Sequence, residues 1–238
     1  MMIEIDPGSA MRICADIVHD VAETRGFKAI LYAGGIETAF EGHVCRVLDR
    51  WLEQHGNDRY RETVIVPRHK REGPTADLAL CRLPNSDEFR LHVGALIEVK
   101  GNYASQLLDL SFTGATGTPR KRRQLPVVVQ AGIQASQYAR MRATADGIPP
   151  AYVVHILVKG SGPRPPAGAP KDSGARHFRP EIDFGTAIQR MALQAHDEQQ
   201  FATAIQAIGH HHGAELACYL FKVAAPEVCQ ELATQYPA

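Results

Sequence analysis

The chain has 238 residues, of which 45% are hydrophobic and 22% charged, and this balance is typical of one globular domain and excludes an intrinsically disordered protein. Its 26 basic and 26 acidic side chains cancel, so net charge neither supports nor excludes a nucleic-acid partner. The 5 cysteines form no CxxC pair, which excludes the usual zinc knuckle and favours a reducing compartment. Because no run reaches membrane-spanning length and the N-terminus lacks signal-peptide order, we expect a cytoplasmic protein with no membrane partner.

Two helices are predicted before any strand. Ser9 is a candidate N-cap for a first helix that runs to about Arg25, with Gly26 as its stop. A second helix is expected from about Gly35 to Gly56, because its apolar residues recur every three or four positions.

The period then changes to that of strands. Residues 63–67, 77–83 and 92–100 are short β-prone runs separated by turn residues, and they predict three antiparallel strands in a meander. A helix is expected after Pro126. The continuous apolar run 152–160 has the length of a strand and predicts a central one.

The C-terminal third has a different composition. Residues 160–174 are rich in proline and glycine, which is typical of a linker. We therefore expect a core over 1–160, a linker or loop over 161–180, and a mostly helical extension over 181–238 that packs on the core. Residues 215–223 are compatible with either strand or helix. The histidines of GHHHG are expected at a helix end, where imidazolium complements the helix dipole; they are His210, His211 and His212.

Two of the predicted strands each contain a carboxylate within an apolar run, Asp77 in the first and Glu98 in the second. Since alternate residues of a strand share a face, Glu98 and Lys100 point the same way and Val99 points the other way. If the two strands pair, both carboxylates converge, and such oxygen ligands suit Mg²⁺ bound together with substrate phosphate. The structural alternative is a pair of acids in salt bridges with Lys100 and Arg82.

The order of these residues resembles that of the PD-(D/E)XK nuclease superfamily: PTAD, then twenty residues, then Glu-x-Lys within ALIEVKGNY. The chain departs from the family pattern in that Pro74 lies three residues before Asp77 instead of directly before it. The resemblance implies a restriction-endonuclease-like α/β fold, a mixed β-sheet flanked by helices. It also implies that Asp77, Glu98 and the backbone carbonyl of Val99 hold Mg²⁺, with Mn²⁺ able to substitute, while Lys100 positions the attacking water.

Two flanking helices extend the resemblance. Family members often carry a glutamate on the helix before the strands, which corresponds to Glu41, or alternatively to Glu37 one turn earlier. The helix after the strands has Gln134 and Tyr138 at i, i+4, similar to the QxxxY element of exonuclease-type branches, and Gln130 is an alternative to Gln134. The structural alternatives are solvated acids in a first helical turn and a polar pair on a helix surface.

A basic run immediately precedes the second of these helices. Four consecutive positive side chains next to a carboxylate site are expected to contact phosphates, and a solvated loop is the alternative. These residues are Arg120, Lys121, Arg122 and Arg123. Tyr138 is a further candidate for contact with the nucleic acid.

Together these features predict a Mg²⁺-dependent nuclease that hydrolyses DNA, with duplex favoured, as a restriction-type, defence or repair endonuclease. A homodimer is expected because duplex cutting requires two strands to be cleaved. One alternative is an RNA- or single-strand-directed exonuclease of the same fold. The other is a non-catalytic nucleic-acid-binding module in which the acids are structural.

Overall fold

The computed structural model describes residues 2–24, 36–55, 63–67, 76–83, 91–103, 127–158, 202–211 and 214–223. These residues form an α/β structure. Its helices are α1 (Pro7–Glu23), α2 (Ile36–His55) and α3 (Val127–Met141). Its strands are β1 (Thr63–Pro67), β2 (Leu78–Arg82), β3 (His92–Tyr103), β4 (Ala151–Val158), β5 (Ala202–His211) and β6 (Ala214–Val223).

The six strands form one open mixed sheet in the order β1-β2-β3-β4-β6-β5. The predicted meander is confirmed, because β1, β2 and β3 pair antiparallel in succession. β4 pairs parallel to β3 and antiparallel to β6, and all of its residues are buried. The prediction of a central strand from its continuous apolar run is therefore also confirmed.

The start of α1 differs from the expectation. Asp6, not Ser9, is the N-cap, and its Oδ1 accepts a hydrogen bond of 3.0 Å from the Ser9 backbone N–H. Pro7 occupies the first turn, where its missing N–H costs nothing and its fixed φ suits a helix. These two residues begin the helix earlier, and Ser9 instead donates its hydroxyl to the other carboxylate oxygen of Asp6 at 2.6 Å.

The two surfaces of the sheet are covered by different helices. On one surface, apolar side chains of α1 and α2 form the main core with residues of the four central strands, such as Ile97, Val99 and Val154. The alternate residues of these strands point to the opposite surface, where α3 packs against β3 and β4. α3 presents a buried row of small residues, Ala131, Ala135 and Ala139, so its backbone comes close to the sheet.

The extended segment before α1 lies against β3. The Ile3 backbone N–H donates to the Gly94 carbonyl at 3.0 Å, and the Ile3 side chain fills the space where a side chain at position 94 would lie. A Cβ atom at Gly94 would stand 2.6 Å from both Cγ1 and Cδ1 of Ile3. Glycine is therefore required at position 94 for this close approach.

We expect Gly94→Ala to lower the free energy of unfolding by about 1–3 kcal/mol, because Ile3 must leave its place in the core. Urea denaturation would measure the loss.

Adding Ile3→Ala should make the double variant more stable than the sum of the two single effects predicts. Gly42→Ala is the matched control: on exposed α2 surface its Cβ would meet only Arg46 Nη1 at 3.9 Å, and helix propensity favours alanine. Equal losses from both variants would contradict this explanation.

The prediction of a mostly helical C-terminal extension is wrong for residues 202–211 and 214–223, which form β5 and β6. β6 pairs with β4 along the strand, from Tyr152↔Lys222 to Val158↔Leu216, and this pairing decides the conformation of a run that is locally compatible with either structure. His210 and His211 accordingly lie at the end of a strand and not of a helix. His212, the predicted linker 161–180 and the tail 224–238 lie outside the described residues.

No helix in the described part of the chain is both long enough and apolar enough to cross a bilayer.

Candidate active site

The two carboxylates singled out in the sequence are brought into one region by the pairing of β2 with β3. In the antiparallel pairing of β2 with β3, Leu78 is opposite Ile97, so Asp77, the residue immediately before β2, lies near Glu98. Asp77 Oδ2 accepts a hydrogen bond of 2.8 Å from the Val99 backbone N–H. This bond places the Asp77 carboxylate directly beside the peptide that joins Glu98 to Val99.

Lys100 is held against Glu98, two residues earlier on the same strand. Its Nζ lies 2.9 Å from Glu98 Oε1, and the exposed fractions of the two side chains are 19% for Lys100 and 5% for Glu98. The pair lies on the central strand β3 and not at a sheet edge. Removing a charge from water is costly unless an opposite charge lies close to it. Glu98 and Lys100 meet this condition by forming an ion pair at the margin of the protein interior.

Tyr138 of α3 lies in the electric field of the same groups. Burial raises the pKa of its hydroxyl, the negative charges of Glu98 and Asp77 raise it further, and Lys100 opposes them. The phenol therefore lies within electrostatic range of both carboxylates and the ammonium. Gln134, one turn earlier on α3, is exposed, while the side chain of Gln130 lies outside the described atoms.

His155 on β4 is not among the residues predicted from the sequence. It is the register partner of Lys100 in the parallel β3–β4 pairing, and it is fully buried. Burial and, to a smaller degree, the charge of Lys100 lower the pKa of His155 to about 4. A signal was present in the sequence, because this histidine interrupts the otherwise apolar run YVVHILV.

Polar side chains thus cross the sheet from strand to strand. Asp77 is bonded to the amide that follows Glu98, Lys100 is the register partner of His155, and His155 is opposite the buried Tyr219 of β6. We call these five residues the polar row. The four strand residues of this row, Glu98, Lys100, His155 and Tyr219, share the sheet surface beneath α3, and the apolar residues that alternate with them point into the main core on the other surface.

Other predicted residues stand apart from this group. Glu41 is half-buried on α2, and this helix packs on the sheet surface opposite to Glu98. The role of Glu41 beside Glu98 stays a prediction. The side chain of Glu37 and the whole basic run 120–123 lie outside the described part of the chain.

The donor set determines what kind of cation this site suits. Among the described residues, no three His, Cys, Asp or Glu side chains come together as a metal site. A cation at the polar row would instead have the carboxylates of Asp77 and Glu98, with its other positions completed by a backbone carbonyl, water or substrate oxygen. Mg²⁺ accepts this composition, since it keeps several waters and binds through one or two carboxylates.

Comparison of the chain with protein-family models, with curated proteins and with solved structures found no match in any of the three. The geometry of the polar row and the short motif that it contains are therefore the features that indicate a function.

Proposed function

We propose that the chain is a Mg²⁺-dependent nuclease that hydrolyses DNA phosphodiester bonds, with a restriction-endonuclease-like fold. The observation that carries this proposal is the arrangement on β2 and β3. Asp77, immediately before β2, accepts a hydrogen bond from the Val99 amide, and Lys100 lies 2.9 Å from Glu98. Two carboxylates and one ammonium close to one another are the groups that metal-assisted phosphodiester hydrolysis requires.

The order of elements around the site supports the fold proposal. α2, the antiparallel strands β1 to β3, α3 and the parallel strand β4 follow one another along the chain, and helices cover both surfaces of the mixed sheet. The PD-(D/E)XK resemblance implies this kind of sheet. β5 and β6 extend the sheet beyond that segment.

Asp77, Glu98 and the Val99 carbonyl are the groups that would hold Mg²⁺. When bound, the ion would neutralise phosphate charge and lower the pKa of a coordinated water. The Asp77 carboxylate is already oriented by the Val99 amide, so little side-chain freedom is lost when it binds a ligand.

Lys100 is suited to a different task. Its ammonium donates to Glu98 in the structure, and it remains partly exposed on the site side of the strand. From there it can orient a water and stabilise negative charge that develops on the phosphate. Tyr138 and the basic run 120–123 are proposed DNA contacts, and a homodimer is proposed because a duplex has two strands to cleave.

Two observations favour other functions. The position of Tyr138 near both carboxylates supports an exonuclease of the same fold that acts on single strands or RNA, in which the QxxxY element faces the site. The Glu98–Lys100 ion pair is what a non-catalytic nucleic-acid-binding module would use for structure alone.

The test is to incubate the purified protein with supercoiled plasmid, linear duplex, single-stranded DNA and RNA, each with Mg²⁺, Mn²⁺ or EDTA. We expect cleavage of plasmid with either metal and none with EDTA. Lys100→Met is the control, and it should bind DNA in a mobility-shift assay but leave the plasmid intact.

Each result decides between the candidates. Degradation restricted to free ends, single strands or RNA would favour the exonuclease. Binding of DNA without cleavage under any metal condition would favour the module. Equal cleavage by wild type and Lys100→Met would indicate a contaminating nuclease and refute the proposal.

A further inference from the structure

His155 stands out among the residues of β4. All 8 residues of this strand are buried, and His155 is the one basic side chain among them. Burying an imidazole costs free energy unless the surroundings supply a polar partner. An aliphatic residue would have continued the apolar pattern at no such cost, so the position of this histidine calls for an explanation.

The pairing of β4 with β3 explains the position of His155. Lys100 and His155 are register partners, as are Val99 and Val154 one residue earlier. Val99 and Val154 both point into the main core, so Lys100 and His155 both point to the other surface. The imidazole therefore flanks the Lys100 side chain from β4, whereas the Asp77 carboxylate lies towards β2.

The charge state of His155 suits this place. Burial and the nearby ammonium favour the neutral ring, and a neutral imidazole has one nitrogen that accepts a hydrogen bond. It can therefore lie beside Lys100 without charge repulsion, whereas a lysine or arginine in its place could not.

We propose that His155 is a positioning residue for Lys100, and that its imidazole keeps the ammonium at Glu98 and aimed at the site between Glu98 and Asp77. This inference rests on the proposed nuclease function, because the value of a fixed ammonium lies in orienting the water and stabilising the phosphate charge. His155 touches neither substrate nor metal in this arrangement and acts through Lys100.

The first test separates kcat from KM. We expect His155→Leu, which keeps the buried volume, to lower kcat about 10- to 100-fold with KM changed less than about twofold, since a misplaced group weakens the transition state more than binding. His155→Gln, which keeps a hydrogen-bonding group, should recover most of the loss. Leu157→Val, on the same surface of the same strand, is the packing control and should retain wild-type kcat.

The second test does not require activity. In protein labelled with ¹³C at lysine Cε, the Lys100 signal is identified by its disappearance in Lys100→Arg. Relaxation measurements should show a more mobile Lys100 Cε in His155→Leu than in the wild type, and restored order in His155→Gln. Circular dichroism and thermal unfolding establish that each variant is folded.

The outcomes distinguish this inference from the nuclease proposal. If the wild type cleaves no substrate, the nuclease function fails, and the mobility of Lys100 still decides whether His155 positions it. Unchanged mobility of Lys100 in folded His155→Leu would overturn the inference, as would a loss of kcat in Leu157→Val equal to that in His155→Leu. A loss in His155→Gln as large as that in His155→Leu would overturn it too.

Discussion

Glu98→Gln is expected to lower kcat/KM for Mg²⁺-dependent DNA cleavage by about 100- to 1,000-fold, the range found when one preorganised charge-stabilising group is removed. The substitution keeps the shape of the side chain and an oxygen that can accept the 2.9 Å hydrogen bond from Lys100. It removes the negative charge that a hard cation requires. Binding of DNA, measured by mobility shift in EDTA, should stay within about twofold of wild type because phosphate contacts supply most of that affinity.

A second Glu–Lys pair in the described part of the chain offers a matched control. Glu4 Oε2 lies 2.6 Å from Lys222 Nζ, and both side chains are about half exposed, at 49% and 46%. Glu4→Gln makes the same chemical change away from the polar row and should leave cleavage unchanged. Full activity in Glu98→Gln, or an equal loss in Glu4→Gln, would contradict a catalytic role for Glu98.

The second large effect is expected on stability at acid pH. His155 has a folded-state pKa of about 4 against an ordinary value of 6.5. Between these two pH values the unfolded chain binds a proton at this histidine that the folded chain does not bind. The free energy of unfolding therefore falls as the pH falls from 6.5 to 4. The stabilisation that comes from the neutral His155 is lost below this window. The difference corresponds to about 3 kcal/mol of unfolding free energy.

Urea denaturation of wild type and His155→Gln at pH 7 and pH 4.5 would measure this effect. The wild type should lose more stability than His155→Gln over that interval. Asp20 affects the free energy of unfolding at lower pH than His155 does. Burial raises its pKa, but hydrogen bonds from His43 and Arg46 outweigh this effect and hold the pKa below its ordinary value of 3.8. Leu157→Val removes no titratable group and should show the wild-type difference between the two pH values. Equal losses in wild type and His155→Gln would refute the assignment.

Local sequence patterns were sufficient to predict an element when the residues of that element themselves show its periodicity. The helical period of residues 36–55 predicted α2, and the continuous apolar run predicted β4 as a central strand. Strand alternation alone placed Glu98 and Lys100 on one face, and their ion pair agrees with it. These features depend on neighbours a few residues away, so the sequence contains the information needed to predict them.

Features that depend on distant partners were not predictable in this way. Residues 202–211 were expected to be helical and form β5, because pairing with β6 supplies their backbone hydrogen bonds. The importance of His155 likewise appears only when β4 lies parallel to β3 and brings it beside Lys100.

The sequence by itself determined the types of most elements up to residue 158, the position of Glu98 in one strand and of Asp77 next to another, and the shared face of Glu98 and Lys100. Only the tertiary structure decided that Asp77 bonds to the amide that follows Glu98, that residues 202–211 and 214–223 complete the sheet, and that His155 is the register partner of Lys100. The physical reason is that periodicity is a property of adjacent residues. Strand register and burial are set by the free energy of packing segments that lie far apart in the chain.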